Sequence, residues 1–259
     1  MKALEVMNAP VISVVADLPL VEVERVLAEE EVKAAVVEVD GSPVGVVTQS
    51  DLFLAARREA FRREGPQRDL SGNLPLPDLS AREVMTERIV SVDAEAPVET
   101  VCATMVDHSI HRVFVREGET LVGFIGPEEV LVLTAERRLE TAIEDLMTRG
   151  VFGVEGRATI GEAAKVLADT DKQALVVFED EWPVGTVSRD DLLLAREWPE
   201  DTAVDTWMNH RVLFLPRRMP AHRAAHHALA LQAQPILVMG DEKLEGVVSS
   251  LDLARALRG

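Results

Sequence analysis

The chain has 259 residues, a net charge of −18, an apolar content of 47% and a single cysteine. The negative charge argues against nucleic acid and anionic membranes as partners, because both are bound by basic surfaces that neutralise phosphates. One cysteine excludes an internal disulfide and a cysteine metal cluster. Since no apolar run is long enough to span a membrane and no leader segment is visible, we expect a soluble, cytoplasmic protein.

One pattern occurs four times along the chain. In each copy a methionine followed by Asn or Thr precedes a glycine by 38 residues, and an acid follows that glycine by six. A fixed period indicates one supersecondary unit used repeatedly, here over residues 1–58, 80–136, 142–197 and 203–258. These repeats leave no residues for a separate catalytic domain, so we expect a protein that is not an enzyme. The methionines are Met7, Met85, Met147 and Met208, the glycines Gly45, Gly123, Gly185 and Gly246, and the acids Asp51, Glu129, Asp191 and Asp252.

The first repeat shows the elements that the other three share. A short helical turn before Met7 is followed by a short strand that begins at Val11, and Pro19 marks the start of an amphipathic helix. A continuous apolar strand over residues 34–39 then turns into a second strand. The acid Asp51 lies in the first turn of a closing helix. The repeat is therefore a β-α-β-β-α unit, and the protein is predicted to be α/β (α+β).

The repeats are expected to associate in pairs, because about 55 residues are too few to bury both faces of a small sheet. The segments between the later repeats are short, whereas residues 65–80 are rich in Pro, Gly and Ser. We interpret that segment as an exposed loop inside a pair. The first and second repeats then form a module over residues 1–137, and the third and fourth form a module over 138–259.

The combined motif resembles the cystathionine-β-synthase (CBS) domain. It consists of Met followed by Thr or Asn, a helix-start proline, and Gly-x-[VI]-[ST]-x-x-Asp before an amphipathic helix. Two tandem CBS repeats form a Bateman module, so the resemblance implies two such modules packed as a disc. It also implies a regulatory protein without a catalytic cofactor. Its regulatory ligand would be an adenosine compound such as AMP, ADP or ATP, bound in clefts between paired repeats.

The resemblance assigns ribose-binding roles to the motif acids. In the family, the aspartate holds the ribose hydroxyls and the Ser or Thr three residues earlier assists it. A carboxylate suits this role because it only accepts hydrogen bonds, while two vicinal hydroxyls offer two donors. The same acids also suit the first turn of a helix as caps. The second repeat has Gly126 and Glu129 instead, and we expect no ribose there. The candidate ligand-binding residues are Thr48, Asp51, Ser188, Asp191, Ser249 and Asp252.

Basic residues at the strand entrances are candidates for contacts to phosphate. His111 and Arg112 resemble the His-Arg pair that binds nucleotide phosphates in the γ subunit of AMP-activated kinase, and they could serve a nucleotide held by Asp51. The alternative is an ordinary polar strand entrance. Lys33 occupies the same register in the first repeat and is a weaker candidate. The second module has no such pair, which favours a less charged ligand there, or none.

Two further interpretations stay open. The protein could be an interaction or scaffold module with vestigial pockets, or a sensor of S-adenosylmethionine or cyclic di-AMP. In these cases, as in the leading interpretation, it would act on an unidentified regulated protein or through self-association. Elsewhere, His222 and His226 have the i, i+4 spacing of metal ligands on a helix. No third ligand is evident, so we interpret them as part of a solvated helix face and predict no metal site.

Overall fold

The structure is a computed structural model that describes residues 1–64, 75–170, 172–241 and 243–258. The exposed loop predicted for residues 65–80 lies outside the described residues from 65 to 74. The four repeats have the predicted order of elements.

The first two repeats are each built from a short turn, three strands and two helices. The first has a 3-10 turn (Ala3–Glu5), β1 (Ser13–Val15), α1 (Leu20–Glu29), β2 (Ala34–Val39), β3 (Ser42–Thr48) and α2 (Gln49–Glu64). The second has α3 (Ala81–Val84), β4 (Ser91–Asp93), α4 (Val98–His108), β5 (Val113–Glu117), β6 (Thr120–Ile125) and α5 (Pro127–Glu136).

The third and fourth repeats follow the same plan. The third has α6 (Ile143–Leu146), β7 (Gly153–Glu155), α7 (Ile160–Thr170), β8 (Ala174–Glu179), β9 (Trp182–Ser188), α8 (Arg189–Leu194) and a 3-10 turn (Ala195–Glu197). The fourth has a 3-10 turn (Val204–Thr206), β10 (Leu213–Pro216), α9 (Ala221–Leu231), β11 (Ile236–Met239), β12 (Leu244–Val248) and α10 (Ser250–Leu257).

Each repeat contributes one three-stranded sheet. In the first, β1 pairs parallel with β2 through the crossover helix α1, and β2 pairs antiparallel with β3 across a tight turn. A parallel pair requires such a crossover connection, which explains why the amphipathic helix stands between these two strands. The strand β2 is buried at Ala35, Val36 and Val37.

The motif methionines explain the glycines of the pattern. Asn8 forms a two-way backbone bridge with Phe124, at 2.8 and 2.9 Å, so the segment around Met7 belongs to the sheet of the second repeat. Thr86 bridges Val46 in return. A Cβ atom on Gly123 would lie 2.5 Å from the Sδ atom of Met7, so no side chain fits there. The four methionine–glycine pairs are Met7 with Gly123, Met85 with Gly45, Met147 with Gly246 and Met208 with Gly185.

By packing, the chain divides into two compact units. Unit 1 comprises Met1–Val11, Val90–Phe152 and Arg211–Gly259, and unit 2 comprises Ile12–Ile89 and Gly153–His210. Unit 1 thus contains the sheets of the second and fourth repeats, and unit 2 those of the first and third. Each unit thus combines one repeat from each of the two predicted modules. The modules and their boundary stay a prediction.

Each unit has its own apolar core, formed where helices of its two repeats meet. In unit 2, α2 packs on α8, with Leu52, Phe53 and Leu192 buried. In unit 1, α5 packs on α9 and α4 on α10, with Ala225 and Leu253 buried. The described helices include none with the length and apolar character needed to cross a membrane.

The close approach at Gly45 gives a prediction about stability. In Gly45→Ala, the added Cβ would lie 2.6 Å from Met85 Sδ and 2.9 Å from the backbone oxygen of Thr86. Overpacking of this kind costs about 1–3 kcal/mol, so the free energy of unfolding should fall by that amount. Urea unfolding followed by circular dichroism measures it.

Gly126→Ala is the matched control, because its added Cβ meets nothing nearer than 3.4 Å. Gly126 caps α5 and alanine is the poorer cap residue, so the variant's free energy of unfolding should fall by no more than about 1 kcal/mol. Equal losses in the two variants would show that close packing against Met85 is not the reason for glycine at position 45.

Candidate functional site

The candidate site of the first repeat lies where β3 ends and α2 begins. The backbone N–H of Thr48 donates to Asp51 Oδ2 at 2.8 Å, and the Thr48 hydroxyl donates to the same oxygen at 2.7 Å. In return, the Asp51 N–H donates to Thr48 Oγ1 at 3.2 Å. This is a capping box, in which the side chains of Thr48 and Asp51 each accept a hydrogen bond from the backbone N–H of the other residue. Asp51 therefore has the helix-capping role that the sequence analysis gave as the alternative to ribose binding.

The third repeat repeats this geometry closely. Ser188 donates to Asp191 Oδ2 through its backbone N–H at 2.8 Å and through its hydroxyl at 2.7 Å, and the Asp191 N–H donates to Ser188 Oγ at 3.1 Å. Both aspartates are half-buried. The two sites thus hold their carboxylates in the same fixed orientation.

The two carboxylates use only one of their oxygens in the cap. All hydrogen bonds to Asp51 and Asp191 from described residues reach Oδ2, and none of them reaches Oδ1. A carboxylate oxygen accepts two hydrogen bonds. Each acid therefore presents an oriented acceptor that the helix cap does not consume.

The electrostatic setting of Asp51 opposes its ionisation. Burial raises the pKa of the Asp51 carboxyl above its ordinary value, because desolvation disfavours the charged form. The hydrogen bonds from Thr48 oppose this shift, and the positive charges of Arg189 and Arg58 oppose it further. Arg189 belongs to the third repeat in the same unit and is itself buried, donating to the backbone oxygen of Leu167 at 3.2 Å.

The fourth repeat has the same cap, but the second carboxylate oxygen of its motif acid accepts hydrogen bonds from other side chains. Ser249 donates to Asp252 Oδ2 through its N–H at 2.9 Å and its hydroxyl at 2.6 Å. Asp252 Oδ1 accepts from the Thr148 hydroxyl at 3.2 Å and from the Arg255 guanidinium at 2.9 Å. The side chain is only 5% exposed. Both oxygens of Asp252 are engaged, in contrast to the other two aspartates.

The second repeat keeps the cap with a longer acid. The backbone N–H of Gly126 donates to Glu129 Oε2 at 2.8 Å, so this bond of the cap is kept although the cap residue has no hydroxyl. Burial raises the pKa of Glu129, and the hydrogen bond from Gly126 and the charge of Arg112 oppose that shift. The Arg112 guanidinium also lies over the Phe124 ring, 4.9 Å from its centroid. Arg112 therefore borders the junction of its own repeat.

The predicted phosphate contact of His111 and Arg112 stays a prediction. Both residues belong to unit 1, whereas Asp51 belongs to unit 2. Arg112 has a local role in any case, since it stacks on Phe124 and offsets the charge of Glu129.

Lys33 has a partner that the sequence did not indicate. Its ammonium nitrogen lies 2.6 Å from Asp190 Oδ2, although the Lys33 side chain is 68% exposed. Asp190 immediately precedes the motif acid Asp191. In the orientation that satisfies its hydrogen bonds, the Gln49 amide donates to both Asp190 oxygens at 3.3 Å. The first and third repeats are thus joined by polar contacts directly beside their two motif acids.

Comparison with known families agrees with the repeat pattern. A sequence model of the CBS domain matches residues 3–58, 81–135 and 143–197, which together exceed half of the chain. The fourth repeat lies outside these segments, although it has the same order of strands and helices. Among curated proteins, none matches the chain significantly.

Two solved structures match the chain over nearly its full length. A protein of Methanocaldococcus jannaschii, proposed as an archaeal homologue of g-AMPK, superposes with a TM-score of 0.84 at 14% identity and covers 99% of both chains. An uncharacterised conserved protein from Pyrococcus horikoshii superposes with a TM-score of 0.67 at 18% identity, covering 99% of this chain and all of the other. At such identities the likeness shows the fold alone.

Proposed function

This chain belongs to the CBS-domain family, and on that premise we propose that it is a regulatory protein that senses adenosine-containing ligands. Domains of this family act as regulatory modules and not as catalysts. The observation that carries the proposal is the arrangement of Asp51 and Asp191. Each acid is oriented by a capping box and keeps its Oδ1 atom clear of bonds to described residues.

This arrangement fits the two hydroxyls of a ribose. Oδ1 can accept both hydroxyl donors, and the cap fixes the carboxylate before the ligand arrives. Such preorganisation reduces the entropy that binding would otherwise cost. The hydroxyls of Thr48 and Ser188 already donate to the acids, so toward a ligand they can serve only as acceptors.

The four repeats would not be equivalent in ligand binding. We place the ribose sites at Asp51 and Asp191. Asp252 would become a third site only if Thr148 and Arg255 released its Oδ1 atom. The second repeat would bind no ribose, because Glu129 caps its helix alone and Arg112 lies against the junction.

Two classes of adenosine ligand are consistent with these sites. AMP, ADP or ATP would place phosphates near cationic groups, for which His111, Arg112 and Lys33 are the proposed contacts. The ion pair between Lys33 and Asp190 favours the second class, an uncharged or cationic compound such as S-adenosylmethionine. A phosphate would have to compete with Asp190 for Lys33, whereas such a ligand would not.

The regulatory response would arise where the first and third repeats meet. Asp51 senses the charge of Arg189, and Lys33 is paired with Asp190, so both ribose acids lie beside contacts between these repeats. A ligand that binds better to one packing of α2 on α8 than to another would shift the population toward it. The changed surface would then be read by a regulated protein or by a second copy of the chain.

Removal of the two acids should weaken adenosine binding. Each hydrogen bond to a charged acceptor contributes about 1.5–3 kcal/mol, so Asp51→Ala and Asp191→Ala should each weaken binding at their own site by at least about tenfold. Isothermal titration calorimetry with adenosine and AMP measures this. The double variant should show this loss at both sites.

Glu129→Ala is the matched control, since it removes an acid from the same position of the same cap. It should reduce stability as the other variants do and leave adenosine affinity unchanged. Wild-type protein that binds no adenosine compound at millimolar concentration would favour the scaffold interpretation. Equal affinities in the wild type and the double variant would place the ligand elsewhere.

The pH dependence of binding follows from the raised pKa of Asp51. A protonated carboxyl accepts hydrogen bonds more weakly than a carboxylate and carries a proton that competes with the hydroxyl donors, so adenosine affinity at this site should fall as the pH drops toward that pKa. Since burial raises it, the loss should begin above the pH expected for an ordinary aspartate, whose pKa is about 3.9. Titration of the Asp191→Ala variant across pH isolates the Asp51 site.

Protein stability should respond to Asp51 in the opposite sense. A carboxyl whose folded pKa is raised adds stability below its unfolded pKa, and that contribution is lost as the pH rises through the folded value. Asp51→Asn keeps an acceptor for Thr48 and should flatten this part of the pH profile. An unchanged profile in Asp51→Asn would contradict the assignment to this residue.

A further inference from the structure

A basic cleft lies between the end of α5 and the first turns of α9, within unit 1. Its volume is ≈ 450 Å³, within the range of sites that bind small molecules. We propose that this cleft binds a diphosphate or polyphosphate group, at a site separate from the ribose acids. The residues that line it are Ala135, Arg138, Glu140, His222, Arg223 and His226.

The cations of this cleft are not neutralised by the protein. The neighbouring Arg137 forms an ion pair with Glu99 at 2.7 Å. The side chains of Arg138 and Arg223, which line the cleft, form no ion pair or hydrogen bond with any described residue. Both arginines are exposed. In a chain with a net charge of −18, two unpaired arginines in one cleft are a local reversal of the overall charge.

The first turn of α9 also differs from its three counterparts. The equivalent crossover helices have an acid there, namely Glu22 in α1, Glu99 in α4 and Glu162 in α7. Helix α9 has none, and Arg223 stands in its first turn. A positive side chain is disfavoured where the helix dipole is itself positive. An anion in the cleft would relieve this repulsion.

The side chains, and not the helix backbone, would hold the anion. The N–H groups of Ala221 and His222 donate to the backbone oxygens of Thr141 and Leu139, at 2.9 and 3.0 Å. They are therefore not available to a ligand. Guanidinium groups bind phosphate oxygens through two parallel hydrogen bonds, so two arginines suit a ligand with more than one phosphoryl group.

Other ligands fit this cleft less well. Glu140 is its one acid, and it lies 3.8 Å from His222 Nδ1, which is also 3.1 Å from the backbone oxygen of Leu139. With two arginines and one glutamate in its lining, the cleft has a net positive charge even when both histidines are neutral. A divalent cation would be repelled, and the described residues contain no cluster of three metal-ligating side chains. The histidine pair noted in the sequence thus joins an anion site.

Inorganic pyrophosphate is the probe that tests this site. Titration calorimetry at constant ionic strength should give one saturable site in the wild-type protein. The double variant Arg138→Ala with Arg223→Ala should bind at least about tenfold more weakly, because two charge-assisted contacts are lost. Glu140→Gln should bind more tightly, since it removes the one opposing charge.

Arg116→Ala with Arg157→Ala is the matched control, because it removes the same charge from exposed residues outside the cleft. Its pyrophosphate affinity should stay within about twofold of the wild type, since only a screened long-range field changes. Absence of a saturable site in the wild type, or equal losses in the two arginine pairs, would overturn the proposal.

Two further arms separate this site from the ribose sites. Asp51→Ala with Asp191→Ala should bind pyrophosphate normally, and the Arg138 and Arg223 double variant should bind adenosine normally. Loss of pyrophosphate binding in the aspartate variant would place the anion at the ribose sites and overturn the proposal. ADP, titrated into the same proteins, distinguishes a free diphosphate from one carried by a nucleoside.

Discussion

The packing of a methionine from one repeat onto a glycine of another is the constraint on which the structure depends. Met85 occupies the space where a side chain at Gly45 would stand, and Met7 does the same at Gly123. Backbone bridges beside each contact tie the two segments together, as between Val46 and Thr86. Because the motif acid follows the glycine by six residues, this contact also fixes the strand that carries the acid to its helix.

The helix cap at the end of that strand is retained in all four repeats, while the groups around it vary. An acid accepts from the backbone N–H of the cap residue in each case, at 2.8 to 2.9 Å. The second carboxylate oxygen makes the difference. It is engaged by Thr148 and Arg255 at Asp252, and it is clear of described residues at Asp51 and Asp191. The motif acids thus share the role of helix cap and differ in whether their second carboxylate oxygen is left to accept hydrogen bonds from a ligand.

The order of elements could be predicted from the sequence because it depends on local signals and a fixed period. Periodic apolar residues, turn residues and a helix-start proline, replaced by Thr159 in the third repeat, predicted β-α-β-β-α in every copy. This includes the fourth repeat, which the family model does not match. The pairing partner of each methionine could not be predicted, because it depends on contacts between segments far apart in the chain.

The finer chemistry of the candidate site depended on packing as well. Lys33 was expected to be available to a phosphate, yet its partner Asp190 comes from another repeat in the same unit. Arg255, three residues after Asp252 on the same helix, could have been suspected from its i, i+3 spacing. The basic cleft required the juxtaposition of α5 and α9, which no spacing along the chain reveals.

The central claim is that the oriented carboxylates of Asp51 and Asp191 bind the hydroxyls of a ribose. Titration calorimetry of the wild-type protein with adenosine and with 2′,3′-dideoxyadenosine tests it most directly, because the two compounds differ only in those hydroxyls. Loss of two charge-assisted hydrogen bonds should weaken binding by at least about tenfold. Equal affinities for the two compounds would contradict the account.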